Sequence, residues 1–181
     1  MSNIVREWFG ESFGNLDPLI QQLHISCRGV LQGEVTLEYG KGFAGIIGKR
    51  LGIKLGLPAT EGIKSFKVEI ESSNGLLVWS RLFDSQYKMV SKFKPCGSYP
   101  DGYWQEQTGS LKMDLGVQIK EGGWYWVQKS VWFKSLKLPD ILFPSSFAYK
   151  RIVDGKYEFS VSISLPVIGR IVRYGGLLKL E

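Results

Sequence analysis

Histidine is almost missing from this chain: His24 is the only one in 181 residues. Cysteine is nearly as scarce, with Cys27 and Cys96 far apart in the sequence. These shortages exclude much chemistry. A Ser–His–Asp or Cys–His device would have to use His24, because histidine is the usual general base at neutral pH. His24 and Cys27 stand at an expected helix-to-strand junction and need not face each other, and no G-x-S-x-G elbow surrounds any serine. The simpler reading of His24 is a helix-end residue interacting with the last carbonyls. There is no second histidine, no C-x-x-C and no acidic cluster at ligand spacing, so neither a metal nor another cofactor is expected. Two cysteines at this length imply no disulfide framework, and reduced thiols are expected.

Long apolar runs are also absent, and nothing approaches the roughly 18 residues of a spanning helix. The first ten residues include Arg6 and Glu7 and lack the apolar segment of a signal peptide, so a soluble cytoplasmic chain is expected. The net charge of +6 favours anionic partners such as a phosphate, a fatty acid carboxylate or an anionic membrane. Its basic residues are interleaved with acids, as in Lys67 and Glu69 or Lys156 and Glu158. No continuous basic stripe results, and no nucleic-acid partner is expected.

What the chain does have is aromatic side chains, 13% of residues, and 22 glycines. That combination suits strands joined by tight turns, because aromatic and β-branched side chains pack well on a pleated surface. The length fits one domain spanning residues 1–181. Residues 3–23 read as helical, broken at Gly14-Asn15 and restarted by Asp17-Pro18, an N-cap followed by proline at the first helical position. From Ser26 the period becomes two: Leu31, Gly33, Val35 and Leu37 alternate with polar residues. A glycine-rich cationic segment, 41–57, interrupts this and reads as a helix over 43–54 ended by Leu57-Pro58. Strands then follow at 66–71, 76–83, 86–93, 103–107, 111–119, 124–134, 147–153, 156–164 and 169–179. Turns are expected at Asn74-Gly75, Thr108-Gly109, Gly122-Gly123 and Asp154-Gly155, a loop over 94–101, and a short helical turn within 136–146. The expected fold is α+β and mainly antiparallel β. Its nine or ten strands form a strongly curved sheet or partly closed barrel, with an N-terminal helical segment and one inserted helix.

Several motifs carry a family resemblance. They are the Gly33-centred strand, the helix ending Gly56-Leu57-Pro58, Val68-Glu69, and Trp79-x-Arg81-x-Phe83. The tail adds Leu138-Pro139 with Pro144, Phe159-x-Val161, and Pro166-x-x-Gly169-Arg170 with Tyr174 and Gly176. From about Phe13 to the C-terminus the chain resembles the bacterial family catalogued as domain of unknown function 4166. The resemblance implies no catalytic residues. Members that resemble fusions with nucleotide-binding oxidoreductase domains imply a partner role beside an oxidoreductase.

Gly40-x-Gly42-x-x-Gly45 spells the dinucleotide fingerprint, but no parallel βαβ unit surrounds it, so it reads as coincidence. Trp79, Arg81 and Phe83 share one strand face. On an outer face the arginine would cover the aromatics and pair with an acid. On an inner face it would need an anion such as a ligand carboxylate. Trp124, Trp126 and Trp132 also fall on one face by alternation, as core or as pocket lining. Segment 41–57 reads as a docked helix with solvated charges or as a lid; membrane-surface contact is the lesser reading, because Arg50 and Lys54 interrupt its apolar arc.

The function these features favour is a non-enzymatic module that binds a small apolar or lipid-like, anionic ligand. Its expected site residues are Arg50, Lys54, Trp79, Arg81, Phe83, Trp124 and Trp126. Two alternatives stay open. One is an accessory interaction domain for a metabolic enzyme. The other is an enzyme using a strand-borne carboxylate, Glu34, Glu38 or Glu106, with Arg81.

Overall fold

The structure is a computed structural model and describes residues 3–26, 28–133, 136–139 and 145–181. Two short helices open the chain, α1 (Ile4–Phe9) and α2 (Pro18–Ile25), joined by a 3-10 turn at Gly10–Asn15. The Asn3 side chain caps α1 by accepting from the Val5 and Arg6 amides, and its amide group donates to the Ile25 carbonyl at 2.9 Å. One residue thus starts α1 and ties it to the end of α2. Asp17 caps α2, with Pro18 in its first turn, as the sequence indicates.

Strand β1 (Arg28–Tyr39) leads into α3 (Gly42–Leu55), and the remaining elements are strands. These are β2 (Gly62–Ser73), β3 (Leu76–Phe83), β4 (Tyr87–Cys96), β5 (Tyr103–Thr108), β6 (Leu111–Lys120) and β7 (Gly123–Phe133). They continue with β8 (Leu136–Lys137), β9 (Ser145–Val153), β10 (Lys156–Leu165) and β11 (Gly169–Leu180). Neighbours pair antiparallel in the order β6-β5-β4-β3-β2-β1-β11-β10-β9-β7, and β6 also pairs with β7. That last pairing closes a ten-stranded barrel, with β8 a short addition to the end of β7. Full closure removes the free strand edges that a partly closed sheet would leave.

The hairpins follow turn chemistry. Asn74-Gly75 and Asp154-Gly155 hold positive φ at both central positions, which suits the right-handed twist of the strands they join. The β6–β7 turn is shifted by one residue from the sequence expectation: Glu121 and Gly122 have positive φ, and Gly123 already belongs to β7. The 94–101 loop is shorter than expected, because β4 runs on to Cys96 and pairs with β5. Within 136–146, Leu136–Lys137 pair with Trp132 and Phe133 as a strand rather than a helical turn. Residues 140–144 of that expected turn, including Pro144, lie outside the described residues, as does Cys27.

Both ends of the barrel are covered. At the end where β1 begins, the Leu23 carbonyl comes so close to Gly29 that a side chain there would strike it. The N-terminal segment is bonded to the loops of that end, Tyr99 N–H to Trp8 C=O and Asp17 N–H to Gly122 C=O, each 2.9 Å. Trp8, Phe9, Phe13, Leu16, Ile20 and Leu23 are buried there. At the opposite end α3 lies against Tyr39 and the start of β11. Among the described residues no helix is long and apolar enough to cross a membrane.

Candidate functional site

Alternation along the strands turns Phe66, Val68, Ile70, Met113 and Leu115 inward, and they surround a cavity of about 90 Å³ within the barrel. Aromatic walls frame it: Phe93 stacks on Trp126 with centroids 5.6 Å apart, and Phe66 stacks on Phe159 at 5.3 Å. Leu51, Gly52 and Leu55 of α3 contribute the wall at one end.

Into this apolar space come a few charged and hydroxyl groups. Arg81 is 7% exposed, which settles its strand face: it points inward with Trp79 and Phe83 rather than covering the outer wall. Its Nη1 donates to Ser91 Oγ at 2.7 Å. Ser91 and Thr108 hydroxyls meet at 2.5 Å, and Thr108 donates to Glu106 Oε1 at 3.1 Å. Two hydroxyls therefore relay the cation's polarity to a half-buried carboxylate. Among the described residues no carboxylate lies within ion-pair distance of Arg81; its other close contact is the Trp79 ring, 5.2 Å from Cζ.

Lys150 is the second inward cation, 2% exposed. Its Nζ lies 2.7 Å from His24 Nε2, 3.7 Å from the Trp124 ring centroid and 4.8 Å from that of Trp79. Burial holds the Lys150 ammonium well below the usual lysine range, and repulsion from Arg81 adds to this. Burial likewise pushes the His24 imidazole well below its ordinary value, with Lys150 contributing. His24 therefore contacts a lysine across the barrel end and is not the carbonyl-capping residue expected from its place in α2. The Trp79 Nε1 and Tyr157 hydroxyl, both on the cavity wall, are buried without hydrogen-bond partners among the described residues. An interior holding a guanidinium, a lysine and unpaired donors offers hydrogen bonds to an anionic head.

Trp79, Arg81 and Trp126 line the cavity, as do the Phe159, Val161 and Tyr174 of the family motifs. Phe83 and Trp124 stand one layer behind it: Phe83 packs on Phe66 and Tyr174, and Trp124 on Phe9 and Lys150. Arg50 and Lys54 are on the solvent side of α3, away from the cavity. Trp132 leaves the face of Trp124 and Trp126. A bulge in the β6–β7 register skips Lys129, so Trp132 turns outward, where its Nε1 donates to Ser130 Oγ at 3.0 Å. Of the three carboxylates considered, only Glu106 reaches the cavity wall; Glu34 is exposed, and Glu38 faces Arg170 outside the barrel at 3.5 Å. No cluster of three or more potential metal-ligating side chains forms among the described residues.

Lys150, Ser91 and Thr108 were missed from the sequence. For Lys150 a signal existed. The Asp154-Gly155 hairpin sets Lys150 opposite Phe159, which alternation already assigns to the apolar face. A lysine at that register position is buried.

The fingerprint-like Gly40, Gly42 and Gly45 lie between β1 and α3, but β1 is flanked by antiparallel strands, and Gly45 packs on the Gly40 carbonyl. Neither a curated protein nor a solved structure matches the chain. A family model does, over residues 16–178, a span that runs from the start of α2 through α3 and most of β11, and the chain belongs to the family described as Domain of unknown function (DUF4166).

Proposed function

We propose that the barrel interior binds one small amphiphile, with its apolar body among Phe66, Phe93, Trp126 and Phe159 and its anionic head at Arg81. The observation that carries this reading is a buried guanidinium on the wall of a largely apolar cavity, with no carboxylate within ion-pair distance among the described residues. A buried cation of this kind is costly when empty and is relieved by an anion. Lys150 supports the same reading from the neighbouring wall: it lies against aromatic faces and an imidazole, and a carboxylate or phosphate beside it would favour its charged form. The apolar lining with a few convergent polar groups is the usual form of a small-molecule site.

Native mass spectrometry of the freshly purified protein tests the proposal, followed by extraction and identification of whatever is bound. The expected result is a stoichiometric amphiphilic acid that is lost in Val161→Trp, which fills the cavity with an indole. If Val161→Trp retains the same ligand at the same occupancy, the site is elsewhere.

A second reading, an accessory interaction domain, has its own support. Phe147 is exposed on the outer wall of the barrel, and Phe133 and Leu136, paired across β7 and β8, are exposed at its rim. It predicts a complex or dimer on a sizing column that Phe147→Ser disperses.

A further inference from the structure

Helix α3 is docked with part of its apolar surface outward, while Ile47, Leu51 and Leu55 pack toward the core. Its inward side consists of Ala44, Gly45, Gly48 and Gly52, with Leu51 and Leu55 at the cavity. These glycines bring the helix backbone hard against β1 and β11. A Cβ on Gly48 would stand 1.9 Å from the Ile171 carbonyl oxygen, and one on Gly45 2.2 Å from that of Gly40. The contact fixes the rotation of the helix. Phe43, Ile46 and Ile53 are left 67%, 52% and 55% exposed, with Lys49, Arg50 and Lys54 exposed around them. From Lys41 to Thr60 there are four cations and no carboxylate.

The neighbouring β10–β11 turn points the same way. Gly40 N–H donates to the Ile171 carbonyl at 3.0 Å, so α3 starts beside the start of β11. The turn preceding β11 is closed by Ile168 N–H to Pro166 C=O at 2.7 Å. Between them Val167 is held at φ 65 and is fully exposed. A β-branched residue is strained at positive φ. Folding alone therefore gives no account of a valine at this tip.

We infer that this end of the barrel docks on an anionic lipid bilayer through the outer face of α3 and the Val167–Ile168 tip. Charge complementarity names the occupant. The cations stand among the apolar side chains rather than on a separate face. This suits the headgroup level, where apolar groups enter the acyl boundary while long Lys and Arg side chains extend to the phosphates. The docking does not depend on what the cavity holds. It does give α3 two roles, because its other side, through Leu51 and Leu55, is cavity wall.

Co-sedimentation with vesicles tests this, using phosphatidylcholine alone against an equimolar mixture with phosphatidylglycerol. The chain should sediment with the mixed vesicles, and added salt should weaken this. Replacing Lys49, Arg50 and Lys54 together by Gln should weaken binding on the order of 100-fold, about fivefold per cation at a membrane surface. The same replacement at Lys92, Lys94 and Lys120, exposed elsewhere, removes equal charge and should cost far less. Val167→Gly should bind severalfold more weakly while melting no lower than the parent, which separates docking from folding. Failure to sediment with mixed vesicles overturns the inference and leaves the cationic face to an acidic protein. Equal losses in the two triple variants also overturn it, because the attraction would then be diffuse.

Discussion

Replacing Arg81 by methionine should leave the empty protein as stable or more so, while removing its preference for an anionic ligand. The guanidinium is 7% exposed and has one hydrogen bond to a side chain, from Nη1 to Ser91 Oγ at 2.7 Å. Its link to Glu106 passes through two hydroxyls, and Glu106 is itself half-buried and keeps contact with water. The compensation of Arg81 is thus incomplete. Replacing buried ionic groups by apolar side chains of similar volume is often neutral or stabilising, by about 1–4 kcal/mol. Because Ser91 can still donate to Thr108, we expect the low end, about 0–2 kcal/mol. For a chain of this size each kcal/mol moves the melting temperature by about 2–4 °C. Binding should change the other way. Loss of a charge-assisted hydrogen bond costs about 1.5–3 kcal/mol, roughly 10- to 100-fold in affinity. Displacement of a fluorescent alkyl carboxylate by an alkyl acid and by its methyl ester reads this directly. The parent should favour the acid, and Arg81→Met should favour neither. A variant that loses more than about 2 kcal/mol of stability and still discriminates acid from ester would refute the reasoning, because Arg81 would then be a structural element.

Lys150 makes stability rise with pH. Its ammonium is held well below the ordinary 10.5 by burial first and Arg81 second, so the folded chain releases this proton at a pH where the unfolded chain still binds it. In that window the unfolded state carries more protons, and stability climbs as pH rises, by at most about 1.4 kcal/mol per unit. His24, lowered from 6.5, acts in the same direction but only in acid, below its unfolded value. Tyr157 and Tyr174, raised by burial, oppose it only above 10. Urea midpoints should therefore increase in the parent as pH rises toward the unfolded lysine value and stay flatter in Lys150→Met; parallel curves would show that burial does not lower the Lys150 pKa. Gly48→Ala should destabilise, although alanine ordinarily favours a helix interior over glycine by about 1 kcal/mol. Its Cβ would collide with the Ile171 carbonyl, so a net loss of about 1–3 kcal/mol is expected on thermal melting. A stabilised variant would mean that α3 can move away from the sheet.

The local elements were written in the sequence because their causes are local. Asp17-Pro18, Asn74-Gly75 and Asp154-Gly155 set backbone angles by their own side chains or by the lack of one, and strand alternation follows from the pleat. The antiparallel order followed too, because short turns leave consecutive strands no other partner. The family resemblance ran along the same elements. Three things needed the folded chain. Barrel closure depends on the pairing of β1, near the start of the chain, with β11 at its end, a sum of twist over ten strands that no window contains. The inward side of Arg81 and the outward turn of Trp132 depend on which face meets the enclosed space and on one skipped residue, Lys129. The rotation of α3 was not readable from its pattern, whose apolar arc also holds Arg50 and Lys54: the glycines approach the strands closely and take the contact, leaving Phe43, Ile46 and Ile53 exposed. Periodicity tells which residues share a face. Only tertiary packing decides whether that face looks at the core or away from it.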